Sequence, residues 1–162
     1  MRQSRHDLAR WGQAGHGVVR YGMAVLAGSG GVIHRMNKTD FERVMAIQWS
    51  AYRDPWSLEA IASRAKLDKL TLLVVESEVI GFATYYWFRG TLVCDRFAVS
   101  VALRRSGFGT QLLEAVQAKA RRARFVWILA EEYQLDGQLF LKSQGYRGFG
   151  RDGRYVFEKE IT

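Results

Sequence analysis

The sequence contains a single cysteine, Cys94, and only three histidines among its 162 residues. One cysteine cannot form an internal disulfide and leaves no cysteine cluster for zinc. The histidines, His6, His16 and His34, are scattered along the chain, so we expect no metal site. No apolar run approaches the roughly 20 residues that span a bilayer, so we expect no membrane segment. This cysteine usage favours a reducing compartment and a cytoplasmic location.

Acidic residues are also scarce, because 16 aspartates and glutamates face 24 lysines and arginines, which gives a net charge of +8. A basic chain favours anionic partners such as phosphates, nucleic acids, acidic surfaces or the ribosome. The arginines are spread along the sequence rather than gathered in one arm, so we do not expect nucleic acid to be the main ligand. With 48% hydrophobic and 13% aromatic residues, the chain has the composition of a single folded domain.

The first 31 residues differ in composition from the rest of the chain. They hold seven of the 16 glycines, and four arginines against one aspartate. Their apolar stretch, MAVLAG, is shorter than the core of a secretory signal. This composition predicts a flexible, basic, glycine-rich N-terminal extension over residues 1–31 and a folded domain over residues 32–162. A targeting peptide is the alternative for the first segment, because it is rich in arginine and poor in acidic residues.

Hydrophobic periodicity becomes regular from residue 32 onward. It predicts six strands, over residues 32–36, 70–77, 78–88, 92–101, 125–130 and 153–161. Four helices are expected to begin near Thr39, at Pro55 or Ser57, at Gly107 and at Leu135. Short turns predict antiparallel neighbours up to residue 101, whereas the strand–helix–strand unit that follows predicts a parallel pair with a right-handed crossover. The predicted fold is therefore a single α/β domain with a mixed, mostly antiparallel sheet.

The hexapeptide RRSGFG lies between a predicted strand and a predicted helix. The first N–H groups of a helix have no internal acceptor, and the helix dipole places partial positive charge there. Gly107 and Gly109 let the backbone approach a ligand closely, and Arg104 and Arg105 add charges that suit phosphate oxygens. The stretch therefore predicts a pyrophosphate site, with a tight basic turn as the alternative.

Two other phosphate-binding motifs do not match this stretch. A P-loop requires a lysine that is absent here. Leu112 stands where the dinucleotide-binding fingerprint needs its third glycine, and the preceding strands are expected to be antiparallel, unlike those of a doubly wound sheet.

The same hexapeptide matches the Q/R-x-x-G-x-G/A signature of the GNAT acetyltransferase superfamily. The surrounding DRFAVSVALRRSGFGTQLLEAV and the later LFLKSQGYR are also similar to that family, and so is the order of the predicted elements. The resemblance covers residues 32–162. A shorter stretch, DPWS at residues 54–57, resembles the Pro-Trp-Ser of bacterial ribosomal-protein N-terminal acetyltransferases.

The resemblance implies acetyl-CoA as the co-substrate, bound in a cleft that the parallel strand–helix–strand unit forms. Backbone amides of residues 105–110 would hold the CoA pyrophosphate, and the strand edge at residues 97–99 would pair with the pantetheine arm. The side-chain amide of Gln134 would bond the same arm. The implied CoA-binding residues are Phe97, Ala98, Val99, Arg104, Arg105, Ser106, Gly107, Phe108, Gly109, Thr110 and Gln134.

The resemblance also implies direct attack of an amine on the thioester. The acceptor ammonium must then lose a proton, which a carboxylate can take. Asp95 is the first candidate for this base, because strand alternation is expected to place it on the same face as Phe97 and Val99. Glu131 and Glu132, directly after the next strand, are the second candidates. Solvated or salt-bridged surface acids are the alternative interpretation of all three.

The CoA thiolate must gain a proton, and members of the family often carry a tyrosine for this purpose in the last helix. Leu141 stands at that position here. Tyr133 and Tyr146 supply the nearest hydroxyls, and Tyr133 is included among the expected catalytic residues, with water as the alternative proton source. Because the family uses no enzyme nucleophile, Cys94 is interpreted as a core thiol.

The aromatic run YYWF at residues 85–88 alternates between the two faces of a predicted strand. One pair is expected in the core. The other is expected to line an acceptor cleft with Tyr52 and Trp56, with core packing as the alternative for each ring.

Together these features predict an acetyl-CoA-dependent N-acetyltransferase that acts on a primary amine. The basic charge argues against polycationic acceptors, and the DPWS stretch favours a protein N-terminus. A small-molecule amine acetyltransferase is the close alternative. A non-catalytic acyl-CoA-binding module is a second class, kept open by Leu141, and a nucleic-acid binder is a third. The sequence leaves the oligomeric state open.

Overall fold

The computed structural model describes residues 18–21, 38–75 and 78–161. Seven strands are present in this part of the chain: β1 (Val18–Tyr21), β2 (Leu70–Val75), β3 (Glu78–Phe88), β4 (Thr91–Val99), β5 (Phe125–Ala130), β6 (Arg147–Arg151) and β7 (Arg154–Glu160). Four α-helices accompany them: α1 (Lys38–Ala51), α2 (Leu58–Lys66), α3 (Phe108–Lys119) and α4 (Leu135–Ser143). A 3₁₀ turn at Val101–Leu103 follows β4.

The strands form one sheet in the order β1-β2-β3-β4-β5-β7-β6. β4 and β5 are parallel and are joined through α3, and every other neighbouring pair is antiparallel. The β3–β4 hairpin turns at Arg89 and Gly90, and the β6–β7 hairpin turns at Asp152 and Gly153. All four residues have positive φ, which is the backbone geometry that two-residue hairpin turns favour.

One face of the sheet, the α3 face, carries α3 and α4. Leu112 and Val116 of α3 pack there among buried strand residues that include Leu92, Val126 and Ile128. These side chains recur at helical spacing on α3 and at alternate positions on the strands, so both elements bury one apolar face. The result is the larger of the two hydrophobic cores.

The opposite face, the α1 face, carries α1 and α2 over one half of the sheet. Val44 and Ile61, one from each helix, pack with Leu72 and Phe82 of the strands. Beside these helices the same face opens into a cavity of about 430 Å³, here called the sheet cavity.

β4 and β5 separate towards their carboxyl ends. Their register ends at the pair of Cys94 with Ile128, whereas β4 continues to Val99. The last part of β4 is therefore open on its β5 side, and a cleft lies between the two strands. This separation leaves the last residues of β4 without a strand partner on the β5 side.

A bulge in β4 changes the faces on which its side chains lie. The β3 register includes Cys94 and Arg96 but skips Asp95. A bulge of this kind places two successive side chains on the same side. Asp95 and Arg96 accordingly both contact the α1 face, while the Phe97 ring lies on the α3 face, 6.3 Å from that of Phe140.

The predicted fold class is confirmed, including the parallel strand–helix–strand unit. Two observed strands were not predicted. β6 has the sequence RGFGR, and its glycines lower the strand propensity. β1 lies within the predicted extension and pairs with β2, while the strand predicted at residues 32–36 lies outside the described residues. The boundaries of the extension stay a prediction.

Within the described residues, no helix has the length and apolar character needed to cross a membrane.

Candidate active site

The turn before α3 presents backbone donors to the cleft. Gly107 caps α3 in the left-handed conformation, with a φ of 82°, and makes no side-chain bond to the first turn. The N–H groups of that turn have no acceptor within the helix, and the helix dipole favours an anion beside them. Arg105 also has a positive φ, 63°, and such backbone strain is concentrated at binding sites.

The side chains of this turn contribute unequally. Phe108 is fully buried in the core of the α3 face, so only its backbone can contact a ligand. Arg105 is exposed. Arg104 donates from Nε to the carbonyl oxygen of Val99 at 3.3 Å, which holds its guanidinium beside the open edge of β4. Positive charge therefore lies at both the turn and the strand edge.

The open edge of β4 is bonded by a tyrosine from the loop after α1. The Tyr52 hydroxyl accepts a hydrogen bond from the N–H of Phe97 at 3.0 Å and donates to the carbonyl oxygen of Phe97 at 3.2 Å. Burial raises the pKa of Tyr52 to about 12, so the hydroxyl keeps its proton at neutral pH. Tyr52 thus bonds both backbone groups of Phe97, which belongs to the strand edge that the family resemblance implies for the pantetheine arm.

Gln134 and Tyr133 lie in the loop between β5 and α4. Nε2 of Gln134 donates to the carbonyl oxygen of Ala51 at 3.1 Å, and its Oε1 accepts from the N–H of Glu131 at 3.0 Å. The Tyr133 hydroxyl accepts from the N–H of Arg53 at 2.9 Å. These bonds tie the β5–α4 loop to the end of α1 and to the loop that follows it.

The Asp95 carboxylate is bonded on both oxygens. Oδ2 accepts from Nη2 of Arg64 at 2.6 Å, and Oδ1 accepts from the hydroxyl of Thr84 at 2.7 Å. Its side chain is 9% exposed. Because of the bulge, the expectation that Asp95 shares a face with Phe97 is wrong. Taking a proton would cost Asp95 one of these bonds, which favours a structural role in which it neutralises Arg64.

Glu131 follows β5 directly, at the carboxyl end of the parallel pair. Its Oε1 lies 3.3 Å from Nε of Arg154 in β7, and its side chain is 27% exposed. The neighbouring Glu132 is exposed. Of the predicted carboxylates, Glu131 combines a place beside the cleft with access to solvent.

The sheet cavity has aromatic walls and a charged rim. Tyr86 and Phe88 of β3 and Trp127 of β5 line it, and Arg151 and Arg154 stand on either side of the β6–β7 turn at its rim. Tyr86 and Phe88 of the aromatic run therefore face a cavity. Its size and lining suit a small organic group or one amino-acid side chain.

The expected core pair of the aromatic run is only half confirmed, because Tyr85 is buried but Trp87 is 47% exposed. The expectation that Tyr52 and Trp56 line the same cavity as the other pair is wrong.

Three groups considered in the sequence lie in the core. Cys94 is fully buried, and burial raises the pKa of its thiol well above the usual range. Leu141 is buried on α4. The Tyr146 hydroxyl accepts from Nε2 of Gln117 in α3 at 2.9 Å, and burial raises its pKa to about 12. The interpretation of Cys94 as a core thiol agrees with this placement.

Comparison with known proteins identifies the family. A model of the acetyltransferase (GNAT) family matches residues 41–146 of the chain. The chain belongs to the GNAT acetyltransferase family. The match covers more than the hexapeptide, since in this GNAT chain it extends from α1 past the end of α4 and includes the open edge of β4.

Solved structures share the GNAT fold at low sequence identity. Ard1 from Thermoplasma volcanium has a TM-score of 0.73 at 16% identity, over 90% of this chain and 98% of that chain. The ribosomal-protein-S18-alanine N-acetyltransferase from Escherichia coli has a TM-score of 0.64 at 18% identity, over 80% and 92%. The NatC complex bound to Gag peptide and CoA has a TM-score of 0.64 at 14% identity, over 78% and 93%. A comparison with curated protein sequences gives no match.

Sequence reasoning missed the arginines of the GNAT site. Arg64 pairs with Asp95, Arg154 pairs with Glu131, and Arg96 lies buried beside the α1–α2 loop. The available signal was the charged pair of residues 95 and 96 within an otherwise apolar strand, because a charge in a buried strand requires a partner.

Proposed function

We propose that this protein is an N-acetyltransferase that transfers the acetyl group of acetyl-CoA to the α-amino group of a protein N-terminus. The GNAT family implies acyl transfer. The observation that carries the proposal is that an uncapped helix N-terminus follows a strand edge that has no strand partner and is bonded by the Tyr52 hydroxyl. These two features suit the phosphates and the amide-containing arm of CoA, respectively.

The donor is proposed to bind along this cleft. Its pyrophosphate would accept hydrogen bonds from the first turn of α3 at Gly107, and Arg104 and Arg105 would supply positive charge. Its pantetheine arm would run along β4 and bond the N–H and carbonyl of Phe97. The donor must displace the Tyr52 hydroxyl, because that hydroxyl bonds both groups in the free protein. The thioester would then lie where β4 and β5 separate.

The proposed reaction is a direct transfer. The amine nitrogen attacks the thioester carbonyl carbon, the N–C bond forms, the C–S bond breaks, and CoA leaves as a thiolate. The nitrogen gives up its second proton to water as the amide forms. We propose Glu131 as the base that takes the proton of the acceptor ammonium, directly or through water, because it is accessible at the cleft. The Tyr133 hydroxyl accepts one hydrogen bond, from the N–H of Arg53, and its O–H group is left to donate. Tyr133 is therefore the proposed proton donor to the thiolate, and it regains a proton from water.

A protein N-terminus is favoured as the acceptor over a small amine. The Escherichia coli neighbour is named as a ribosomal-protein-S18-alanine N-acetyltransferase, and the NatC complex is bound to Gag peptide and CoA. The sheet cavity is a place for the first side chain of such a peptide. A small-molecule amine remains the alternative acceptor, and a cytoplasmic location belongs to the proposal.

The test is acetyl transfer to short peptides, followed by mass spectrometry. Wild-type protein should add one acetyl group to free N-termini and none to peptides with a blocked N-terminus. Glu131→Gln should lower the turnover at least about 100-fold while acetyl-CoA binding is retained, and Glu132→Gln is the matched control with normal turnover. Acetyl-CoA binding without transfer to peptides or small amines would instead favour the non-catalytic module.

A further inference from the structure

Arg96 holds an unpaired positive charge inside the protein. The residue is 4% exposed. Its Nη2 donates to the backbone carbonyl of Asp54 at 2.8 Å, whereas its Nη1 is buried and has no hydrogen-bond partner. None of the ion pairs among the described residues includes it. Buried N–H groups are normally bonded and buried charges are normally paired, so this guanidinium lacks an anionic partner.

The surroundings of Arg96 are aromatic and basic. Its guanidinium carbon lies 4.0 Å from the ring centre of Tyr52 and 4.9 Å from that of Trp56. The same Trp56 ring lies 5.1 Å from the guanidinium carbon of Arg64, and Asp95 is already bonded to Arg64. These five residues, here called the arginine cluster, therefore carry one positive charge in excess.

Tyr52 connects the arginine cluster to the open edge of β4. Its ring covers Arg96, and its hydroxyl bonds both backbone groups of Phe97. A pantetheine arm that bonds the backbone of Phe97 displaces the Tyr52 hydroxyl. Because the hydroxyl is attached to the ring, the Tyr52 ring must move as well. Donor binding would therefore uncover the Arg96 guanidinium close to the thioester.

Space for an acceptor lies on both sides of the cluster. Trp56 and Arg64 line a cavity of about 460 Å³ beside α2. The Arg64 guanidinium carbon also lies 5.5 Å from the ring centre of Tyr86, which lines the sheet cavity. Arg96 itself lines neither cavity, so an acceptor in either one would reach its guanidinium only after the Tyr52 ring has moved.

We propose that Arg96 binds a carboxylate of the acceptor, so that the protein selects amines that carry a negative charge. This inference rests on the proposed N-acetyltransferase function and adds its substrate class. A guanidinium binds a carboxylate through two parallel N–H bonds. Nη1 is free for one bond, and Nη2 can exchange the carbonyl of Asp54 for the other. The carboxylate is either the side chain of an N-terminal Asp or Glu residue or the α-carboxylate of a free amino acid.

The test compares acceptors that differ in one carboxylate. The first pair is two C-terminally amidated peptides, one beginning with glutamate and one with glutamine. The second pair is alanine and alaninamide. The ratio of kcat/KM within each pair is measured for the wild type, for Arg96→Met and for Arg122→Met. Arg122 is exposed beyond the end of α3, so its replacement removes the same charge away from the site.

We expect the wild type and Arg122→Met to have a higher kcat/KM for the carboxylate-bearing member of one pair. The pair that shows this preference tells whether Arg96 binds a side-chain carboxylate or an α-carboxylate. Arg96→Met should lower this ratio at least about tenfold while still acetylating the uncharged member. Arg96→Lys, which keeps the charge but loses the planar fork, should retain part of the preference. It also provides a second folded variant should the methionine variant unfold. No preference in the wild type, or an equal preference in Arg96→Met, would overturn the proposal.

A binding measurement separates this inference from the proposed function. Calorimetry with both acceptor pairs in the presence of CoA requires no turnover. In one pair, tighter binding of the carboxylate-bearing member to the wild type and Arg122→Met than to Arg96→Met would support the carboxylate site even if no acetyl transfer occurred. Equal binding by all three proteins of both the glutamate peptide and alanine would overturn it, whether or not the protein transfers acetyl groups.

Discussion

Replacement of Tyr52 by phenylalanine should weaken the fold and strengthen donor binding at the same time. The variant leaves the N–H and carbonyl of Phe97 without the hydroxyl that bonds them in the free protein. Each such bond contributes about 1 kcal/mol, so we expect the free energy of unfolding to fall by about 1–2 kcal/mol. A donor arm satisfies the same two groups, so the complex does not suffer this loss. CoA should therefore bind more tightly, with a Kd lowered about fivefold to thirtyfold.

Urea unfolding and calorimetric titration with CoA measure the two effects. Tyr85→Phe is the matched control, because Tyr85 is also buried and donates its hydroxyl proton to the carbonyl of Asp68 at 2.9 Å. We expect Tyr85→Phe to lose stability without a change in the Kd for CoA. Weaker CoA binding by Tyr52→Phe would refute the reasoning, since the hydroxyl would then contact the donor rather than compete with it.

Three further outcomes follow from the site. Arg64→Met should lower the free energy of unfolding by about 2–3 kcal/mol, because Asp95 is left buried without its cation; a loss below about 0.5 kcal/mol in urea unfolding would contradict a structural pair. Between pH 10 and 12 the stability of the wild type should fall more steeply than that of Tyr52→Phe. The pKa of Tyr52 is about 12 in the folded protein and 10 in the unfolded chain, so between these values the folded protein retains a proton that the unfolded chain has lost. The stabilisation from this proton is complete below pH 10 and disappears as the pH passes 12. If the free energy of unfolding in urea fell equally steeply with pH for the two proteins, the burial of Tyr52 would be contradicted. Trp127→Ala should raise the KM for peptides with a large first residue and leave acetyl-CoA binding unchanged, and an unchanged KM in steady-state kinetics would exclude the sheet cavity from acceptor binding.

The turn before α3 could be predicted from sequence because its geometry is local. A strand, a glycine with positive φ and a helix follow one another within a few residues, so the hexapeptide contains most of the information. Periodicity likewise located β3, β4, β5 and α3, since each buries one regular apolar face. Strand alternation also placed Tyr85 in the core, but it was wrong for Trp87, which is 47% exposed near the end of β3.

The acceptor side of the site could not be predicted in this way. A bulge of one residue moves Asp95 to the other face of β4, and strand alternation cannot anticipate it. The bond between Arg64 and Asp95 joins residues 31 positions apart, and that between Tyr52 and Phe97 spans 45 positions. Contacts at such separations depend on how the helices cross the sheet, and no local pattern encodes them.

The central claim is that the turn before α3 binds the phosphates of acetyl-CoA. Calorimetric titration of acetyl-CoA into the wild type, Gly107→Glu and Gly90→Glu tests it. Both glycines are exposed and have positive φ, 82° and 75°, so both substitutions add one negative charge and a backbone cost of about 1–2 kcal/mol. Only Gly107 lies at the proposed phosphate site.

A carboxylate about 5 Å from a phosphate, at an effective dielectric constant of about 20, costs about 3 kcal/mol, which raises the Kd about 100-fold. We therefore expect acetyl-CoA to bind the wild type and Gly90→Glu with similar affinity and to bind Gly107→Glu at least about 100-fold more weakly. No binding by the folded wild type, or an equal loss in both variants, would contradict the claim, and RRSGFG would then be only a basic turn.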